Sequence, residues 1–172
     1  MRQYYYLIAS LPMLEFGMKT PFSHHDFLLL CQEQLSAQDM DIMRRVSLST
    51  CEDIDEPSTA LRGWKRFDRS LRNEIARSRS NNMAKDPAKY IRGEDSLNPF
   101  VAGLAQWAVN QESPLEAELA LDRFRWEKLE ELRKGHYFNI DYLITYAIEL
   151  EILERWENIN SEGGMQTLQA LS

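Results

Sequence analysis

The stretch that decides the fold is SPLEAELALDRFRWEKLEELRKGHYFNIDYLITYAIELEILERWEN, residues 113–158. Its first residues carry the signals of a helix start, because Ser113 is a good N-cap, a proline follows it, and Glu116 stands three residues after the cap. Gly135 comes after a basic turn, which is a common end of a helix. These signals predict one long helix over residues 114–134.

The rest of the stretch predicts a second helix over residues 139–158, which either Asn139 or Asp141 would cap. Apolar residues recur at helical spacing on two sides of it. The two sets are Ile140, Leu143, Ile144, Ala147 and Leu150 on one side, and Tyr142, Tyr146, Leu153 and Trp156 on the other. A helix that is apolar on two sides packs on two sides, so we expect this helix at the centre of the fold.

Composition favours a single helical domain. The chain has 172 residues, enough for one sizeable core, and its seven Gly and six Pro are few. No apolar run approaches the roughly 20 residues that a membrane span needs, and the N-terminus is too short and too aromatic for a signal peptide. We therefore expect a soluble cytoplasmic protein, in which Cys31 and Cys51 are buried thiols rather than a disulfide.

The predicted fold class is all-α. It is a single helical-bundle domain over residues 1–172, with long antiparallel helices over about 57–80, 114–134 and 139–158. Shorter helices are predicted after Ser23, after Ser36 and from Pro99, and an irregular connection over 80–96. The segment YYYLIASL, residues 4–11, has the aromatic and β-branched content of a short strand, and a buried extended segment packed across the helices is equally consistent. A short amphipathic tail follows Gly164.

Charge is unevenly distributed along the chain. The net charge is −7, yet residues 57–80 hold seven Lys and Arg against two Asp and Glu. The basic side chains occupy one face of the predicted helix: Arg62, Lys65, Arg66, Arg69 and Arg72. Four glutamates crowd the end of the last long helix, where they oppose its dipole: Glu149, Glu151, Glu154 and Glu157. We hypothesise that these glutamates face arginines, either at 62–72 or on another protein, and that both groups are contact surfaces.

No catalytic or metal-binding motif is recognisable in the sequence. His24, His25 and Cys31 lack a third and fourth ligand at usual spacing, so we interpret the histidines as polar residues at a helix start. Asp68 and Asp122 each fall on an apolar stripe, which predicts buried structural acids with ion-pair or capping partners. We accordingly predict no catalytic residues, no cofactor and no metal.

Two stretches carry a resemblance to known proteins. The opening YYYLIASLP, residues 4–12, and Asp26-Phe27 resemble the start of a bacterial family encoded beside V-type ATP synthase subunits. The hairpin resembles that family through Leu121-Asp122, Trp126, Leu129 and the run from Phe138 to Trp156. More distantly, it resembles the C-type subunit of V-type ATPases, which is the d-type subunit of eukaryotes. In the C-type subunit, an acidic residue followed by Leu-Asp and an aromatic recurs on long helices.

The resemblance implies a non-catalytic, all-helical subunit of a rotary ATPase, in which the C-type subunit couples the central shaft to the proteolipid ring. The C-type subunit repeats its helical unit three times, so this shorter chain would be one unit, a diverged replacement or an assembly factor. We expect partners among V-type ATP synthase subunits, with no membrane insertion. The alternative is a stand-alone interaction domain that binds nucleic acid through the basic helix, which the acidic net charge disfavours. An enzyme would need a pocket that gathers Asp68, Asp122 or His136.

Overall fold

The computed structural model describes residues 3–48, 56–93 and 99–160. In these ranges the chain forms α-helices and one 3₁₀ turn, and no strand, which confirms the all-α prediction. The helices are α1 (Tyr5–Ser10), α2 (His24–Gln34), α3 (Ala37–Arg44), α4 (Thr59–Asn82), α5 (Pro99–Val109), α6 (Pro114–Arg133) and α7 (Ile140–Asn160). Two sequence-based predictions, for Cys51 and for the tail after Gly164, fall outside the described residues.

The first segment is a helix, so the prediction of a strand or an extended segment at residues 4–11 is wrong. Tyr4, Leu7 and Ile8 are buried and Leu11 is half-buried, which is the i, i+3, i+4, i+7 spacing of a helical face rather than the alternation of a strand. Its backbone donors are satisfied locally, since the amide of Ile8 donates to the carbonyl of Tyr4. Aromatic content therefore misled the prediction, and periodicity was the better signal.

Helix α7 lies at the centre of the molecule, as its two-sided apolar pattern predicted. It contacts α2, α4 and α6, and its side chains are buried almost continuously along its first four turns. Leu143, Ile144, Ala147, Ile148 and Leu150 have no solvent exposure. Burying a Leu or Ile side chain contributes about 1.5–3 kcal/mol each, so this helix is the main source of apolar stabilisation.

Polar side chains of α7 hold the N-terminal third of the chain. The carboxylate of Glu154 accepts from the amide of His24 at 2.7 Å, and that of Glu151 accepts from the amide of Leu48 at 2.6 Å. The hydroxyl of Tyr146 donates to the carbonyl of Pro12 at 2.9 Å. Because these backbone groups have no regular partner of their own, α7 completes the hydrogen bonding of the segments that cross it.

Helix α4 packs its apolar face against the core, and most of its basic side chains lie on the side nearer the surface. Ala60, Leu61, Trp64 and Leu71 on its apolar face are buried, and the helix packs against α5, α6 and α7. It continues to Asn82, beyond the predicted end at residue 80. The connection that follows, residues 83–93, we call the strap; it includes the 3₁₀ turn Pro87–Lys89 and packs back on α4. None of the helices in the described ranges is long and apolar enough to span a bilayer.

Candidate functional site

A cleft of about 490 Å³ opens between α4, α6 and the strap. We call it the cationic cleft, because among its described lining residues six carry a positive charge and one, Glu118, is acidic. The six are Lys65, Arg69, Arg72, Arg79, Arg92 and Arg125. Tyr90 on the strap and Ile75 and Ala76 on α4 add an aromatic and apolar part to the lining. Its volume lies in the range of small-molecule sites.

Three of these cations form ion pairs with buried carboxylates behind the cleft. The ammonium of Lys65 lies 2.5 Å from Glu56, and the Nε of Arg72 lies 2.8 Å from Asp68. Arg125 bonds to Asp122 at 2.5 Å through Nη1. These pairs fix the positions of the three side chains, since a buried carboxylate needs its partner to remain ionised at low cost.

The other three cations have no such partner in the part of the chain that the structure describes. Among the described residues, no carboxylate lies within 4.0 Å of the guanidinium of Arg69, Arg79 or Arg92. Glu118, the acid in the lining, is also engaged by Arg155 at 2.8 Å, so its charge is shared with a cation outside the cleft. Counted over the described residues, the cleft therefore carries an excess of positive charge although the chain as a whole is acidic.

The strap is held against α4 by specific contacts. The side chain of buried Asn73 donates to the carbonyl of Arg92 at 3.1 Å and accepts from its amide at 3.0 Å. The next residue, Gly93, has a φ of +67°, and a Cβ there would lie 2.6 Å from Nη1 of Arg69. The positive φ favours glycine at this position, and a larger residue would also push the Arg69 guanidinium aside.

Asp68 and Asp122 are both fully buried, and each has an arginine partner. Burial raises the pKa of Asp68, and the nearby charges of Arg72 and Arg125 oppose that rise. Asp122 joins α6 to α7, because it pairs with Arg125 and Arg155 and accepts from the indole of Trp156 at 2.9 Å. The two acids are parts of ion-pair networks behind the cleft.

The predicted basic face divides into two parts in the structure. Lys65, Arg69 and Arg72 line the cationic cleft, whereas Arg62 is half-buried outside the lining and Arg66 is exposed. The prediction of Lys65 as a surface contact needs correction, because its side chain is largely buried and bonds to Glu56. Arg79, Arg92 and Arg125 were not predicted as part of this surface. Arg79 had a sequence signal, since it follows Arg72 by seven residues on the same helical face, and so had Arg125, which follows Asp122 by three.

The four glutamates of α7 do not form one acidic surface. Glu149 has no solvent exposure and bonds to Arg133 at 2.8 Å, so its prediction as a contact residue is wrong. Glu151 lies 3.5 Å from the imidazole of His24, and Glu157 accepts from the hydroxyl of Thr20. With Glu154 bonded to the amide of His24, the glutamates contact the N-terminal segments and α6 rather than the arginines at 62–72. The intramolecular form of the charge-pairing hypothesis is therefore wrong.

The histidines and Cys31 occupy separate environments. His24 meets Glu151, His25 is exposed, and burial raises the pKa of Cys31 to about 12. His136 lies 3.3 Å from Asp141, away from the partners of Asp68 and Asp122. Within the described ranges no group of three or more His, Cys, Asp or Glu side chains could hold a metal ion.

A second exposed feature lies where α1 meets the turn between α6 and α7. We call it the aromatic corner, and its members are Tyr5, Tyr6, Tyr137 and Phe138. The rings of Tyr5 and Phe138 lie 4.7 Å apart, and the amide of Tyr4 donates to the carbonyl of Phe138. Tyr6 is 91% exposed and Tyr137 is 67% exposed. These side chains were not predicted as a surface, because without helix α1 nothing places Tyr5 beside Phe138.

Comparison with known protein families gives a match to part of the chain. The model of a protein family described as "Protein of unknown function (DUF2764)" matches residues 104–171, which is about two fifths of the chain. The matched range takes in most of α5 and all of α6 and α7, including the Asp122 network and one wall of the cationic cleft. No curated protein and no solved structure matches the chain.

Proposed function

We propose that this protein is a non-catalytic, helical component or accessory factor of a bacterial V-type ATP synthase, located beside the membrane and acting through surface contacts with other subunits. The observation that carries the proposal is the aromatic corner. The partly exposed rings of Tyr5 and Phe138 pack together, their chain neighbours Tyr6 and Tyr137 are more exposed, and exposed aromatic side chains of this kind mark protein interaction sites. The choice of complex rests on the resemblance of residues 4–12 and of the hairpin.

The aromatic corner brings together the two parts of the sequence that carry the resemblance. Tyr4 belongs to the opening YYYLIASLP, Phe138 begins the last part of the hairpin, and a backbone hydrogen bond of 2.6 Å joins them. Tyrosine and phenylalanine are enriched at the centres of protein interfaces, because they bury a large area at a low cost in side-chain entropy. Exposed Arg66 and half-buried Arg62 on α4 supply the charged contacts of the proposal.

The test is affinity purification of the tagged protein from its native cell, with identification of the co-purifying proteins at low and at moderate salt. We expect V-type ATP synthase subunits to be recovered with the wild type. The double variant Tyr6→Ser/Tyr137→Ser should lose them, because both side chains project into solvent and their loss leaves the core intact. Met83→Ser, which removes a side chain that is 61% exposed at the end of α4, is the matched control.

The charged contacts have their own variant. Arg62→Glu/Arg66→Glu should reduce recovery most strongly at low salt, since ionic strength screens exposed charges. Recovery that is equal for wild type and for both double variants would contradict the proposal.

The nucleic-acid alternative is favoured by one observation, the excess positive charge of the cationic cleft. Recovery of RNA alone, lost steeply as salt rises, would support that alternative instead.

A further inference from the structure

We infer that the cationic cleft is a binding site for an organic polyphosphate, a small molecule that carries several phosphate groups on an apolar or aromatic body. This inference goes beyond the proposed function and does not depend on it. It rests on the charge of the cleft, on the line of cations along α4, and on the contacts that hold the strap in place.

The charge balance of the cleft indicates an anionic ligand. Arg69, Arg79 and Arg92 line one cavity, and none of them has a carboxylate partner among the described residues. Like charges that share a cavity repel one another, and an anion bound among them relieves that repulsion. Arginine offers a planar fork of N–H donors that matches phosphate oxygens, so phosphate is the anion that this cleft fits best.

The spacing of the cations indicates an elongated ligand. Arg69, Arg72 and Arg79 are three and seven residues apart on α4, so they follow one face of the helix. At a rise of 1.5 Å per residue, the positions of Arg69 and Arg79 lie about 15 Å apart along the helix axis. A single phosphate cannot reach both ends. A chain of phosphates can contact several of these side chains at once.

The lining also provides for an apolar part of the ligand. Tyr90 stands half-exposed on the strap, and Ile75 and Ala76 lie on α4 between the basic residues. An aromatic ring can stack on a tyrosine, whereas a simple inorganic anion gains nothing from it. This part of the lining favours an organic polyphosphate over orthophosphate or sulfate.

Hydrogen bonds between α4 and the strap fix the shape of the cleft before any ligand binds. Asn73 is buried and bonds through its side-chain amide to the backbone of Arg92, which fixes that residue at the mouth of the cleft. Gly93 lets the strap approach the guanidinium of Arg69 closely. A preorganised site loses less conformational freedom on binding, and its affinity is correspondingly higher.

The test is isothermal titration calorimetry of the full chain at an ionic strength of about 0.15 M, where non-specific attraction is largely screened. The probes are ATP without magnesium, sodium tripolyphosphate and inorganic phosphate. We expect saturable binding at one site, tightest for ATP and weakest for inorganic phosphate. The variants Arg69→Gln, Arg79→Gln and Arg92→Gln should each weaken ATP binding about tenfold or more, because each removes charge-assisted hydrogen bonds.

Arg66→Gln is the matched control, because it makes the same charge change on the same helix at an exposed position outside the cleft lining. Its affinity for ATP should equal that of the wild type, and circular dichroism should show unchanged helicity in all four variants. Gly93→Ala, which places a methyl group against Arg69, should also weaken binding. Unsaturable binding, or equal losses in Arg66→Gln and the cleft variants, would overturn the inference.

A single-stranded RNA oligomer serves as the competing probe. If it binds more tightly than ATP and the same three variants abolish its binding, the cleft is part of a nucleic-acid surface and the small-molecule inference is wrong. The aromatic-corner variants should bind ATP as the wild type does. Failure of the polyphosphate site is thereby distinguishable from failure of the proposed subunit contacts.

Discussion

Glu149 shows how one residue sets a pH dependence from inside the core. Its carboxyl group is fully buried, and burial raises its pKa to about 7, against the opposing charge of Arg133. Glu130 and the phenol group of Tyr146 also lie near enough to Glu149 to interact with it electrostatically. In the unfolded chain the same group ionises near its ordinary value of 4.5. Between these two values the folded protein holds a proton that the unfolded chain releases.

We therefore expect the contribution of Glu149 to stability to be largest below its unfolded pKa and to fall as pH rises toward about 7. Glu149→Gln removes this dependence, since glutamine stays neutral. Relative to the wild type, the variant should gain stability between about pH 5 and about pH 8, by a free energy on the order of 3 kcal/mol. Urea unfolding of both proteins across this range measures the difference. A constant difference at all pH values would contradict the raised pKa.

Asp122 is the residue whose loss should cost most. Asp122→Ala leaves largely buried Arg125 without its closest partner and removes the acceptor of the Trp156 indole. Removing one member of a buried ion pair typically costs about 3–5 kcal/mol. Glu131→Ala, which breaks an exposed pair with Lys128 on the same helix, should change stability little. The measurement is the free energy of unfolding of Asp122→Ala and of Glu131→Ala. Equal values would show that the ion pairs of Asp122 do not stabilise the fold.

For single residues, the sequence predicted which side chains are buried better than it predicted which residues they bond to. The apolar stripe around Asp68 and Asp122 was sufficient to predict that both are buried, because helical periodicity assigns a face to every residue. Arg72, four residues from Asp68, could be named from helical spacing. Arg155 could not, since it reaches Asp122 from another helix, and only the packing of α6 against α7 determines that contact.

At the scale of elements, helix starts were the most predictable feature. Serine N-caps precede α2, α3, α4 and α6, and each accepts a hydrogen bond from the backbone three residues later. Ser58 has a second role, because its hydroxyl also donates to buried Asp141 at the start of α7. Asp141 in turn accepts from the amide of Ala60 at 3.2 Å. The starts of α4 and α7 are thus joined through one carboxylate.

Ser58→Ala should destabilise the protein more than Ser113→Ala. Both substitutions remove an N-cap, which costs about 1 kcal/mol, but the first also removes a buried donor to Asp141, for a total of about 2–3 kcal/mol. Thermal unfolding of the two variants measures the difference directly. Equal shifts in Tm would show that the bond from Ser58 to Asp141 contributes nothing beyond capping.

Helix α1 marks the limit of prediction for short elements. Six residues are too few for a stable helix in water, so tertiary contacts decide their conformation. Tyr, Ile and Leu suit a strand by intrinsic preference, yet the hydroxyl of Tyr4 bonds to Asp39 at the start of α3, and its amide bonds to Phe138. Neither partner can be deduced from residues 4–11 alone.

At the scale of the whole molecule, α7 is the support on which the N-terminal third is assembled. Glu151 and Glu154 accept from the amides of Leu48 and His24, which lie more than 100 residues earlier in the chain. Glu151→Ala/Glu154→Ala should loosen residues 20–48 while leaving α4 to α6 folded. Hydrogen exchange measured by mass spectrometry should show faster exchange there only. Faster exchange throughout the protein would mean that these contacts hold the entire fold.

The overall arrangement was predictable only in part. The two-sided apolar pattern predicted the central position of α7, because a helix of that kind has no polar face suited to contact with water. The cationic cleft was out of reach, since Arg69, Arg92 and Arg125 come from α4, the strap and α6, and nothing in their spacing indicates that they meet. The intramolecular form of the charge-pairing hypothesis was wrong for the same reason, because it matched opposite charges without knowing which helices are neighbours.

The central position of α7 has a consequence for the synthesis of the protein. Translation proceeds from the N-terminus, so α2 leaves the ribosome long before the helix that packs against its buried Phe27 exists. Bonds such as that between Thr20 and Glu157 span 137 residues and can form only after nearly all of this sequence has been translated. During that interval the nascent chain exposes apolar surface that a chaperone would recognise. Ribosomes stalled before α7 should therefore carry a chain that is readily cut by protease within residues 20–48.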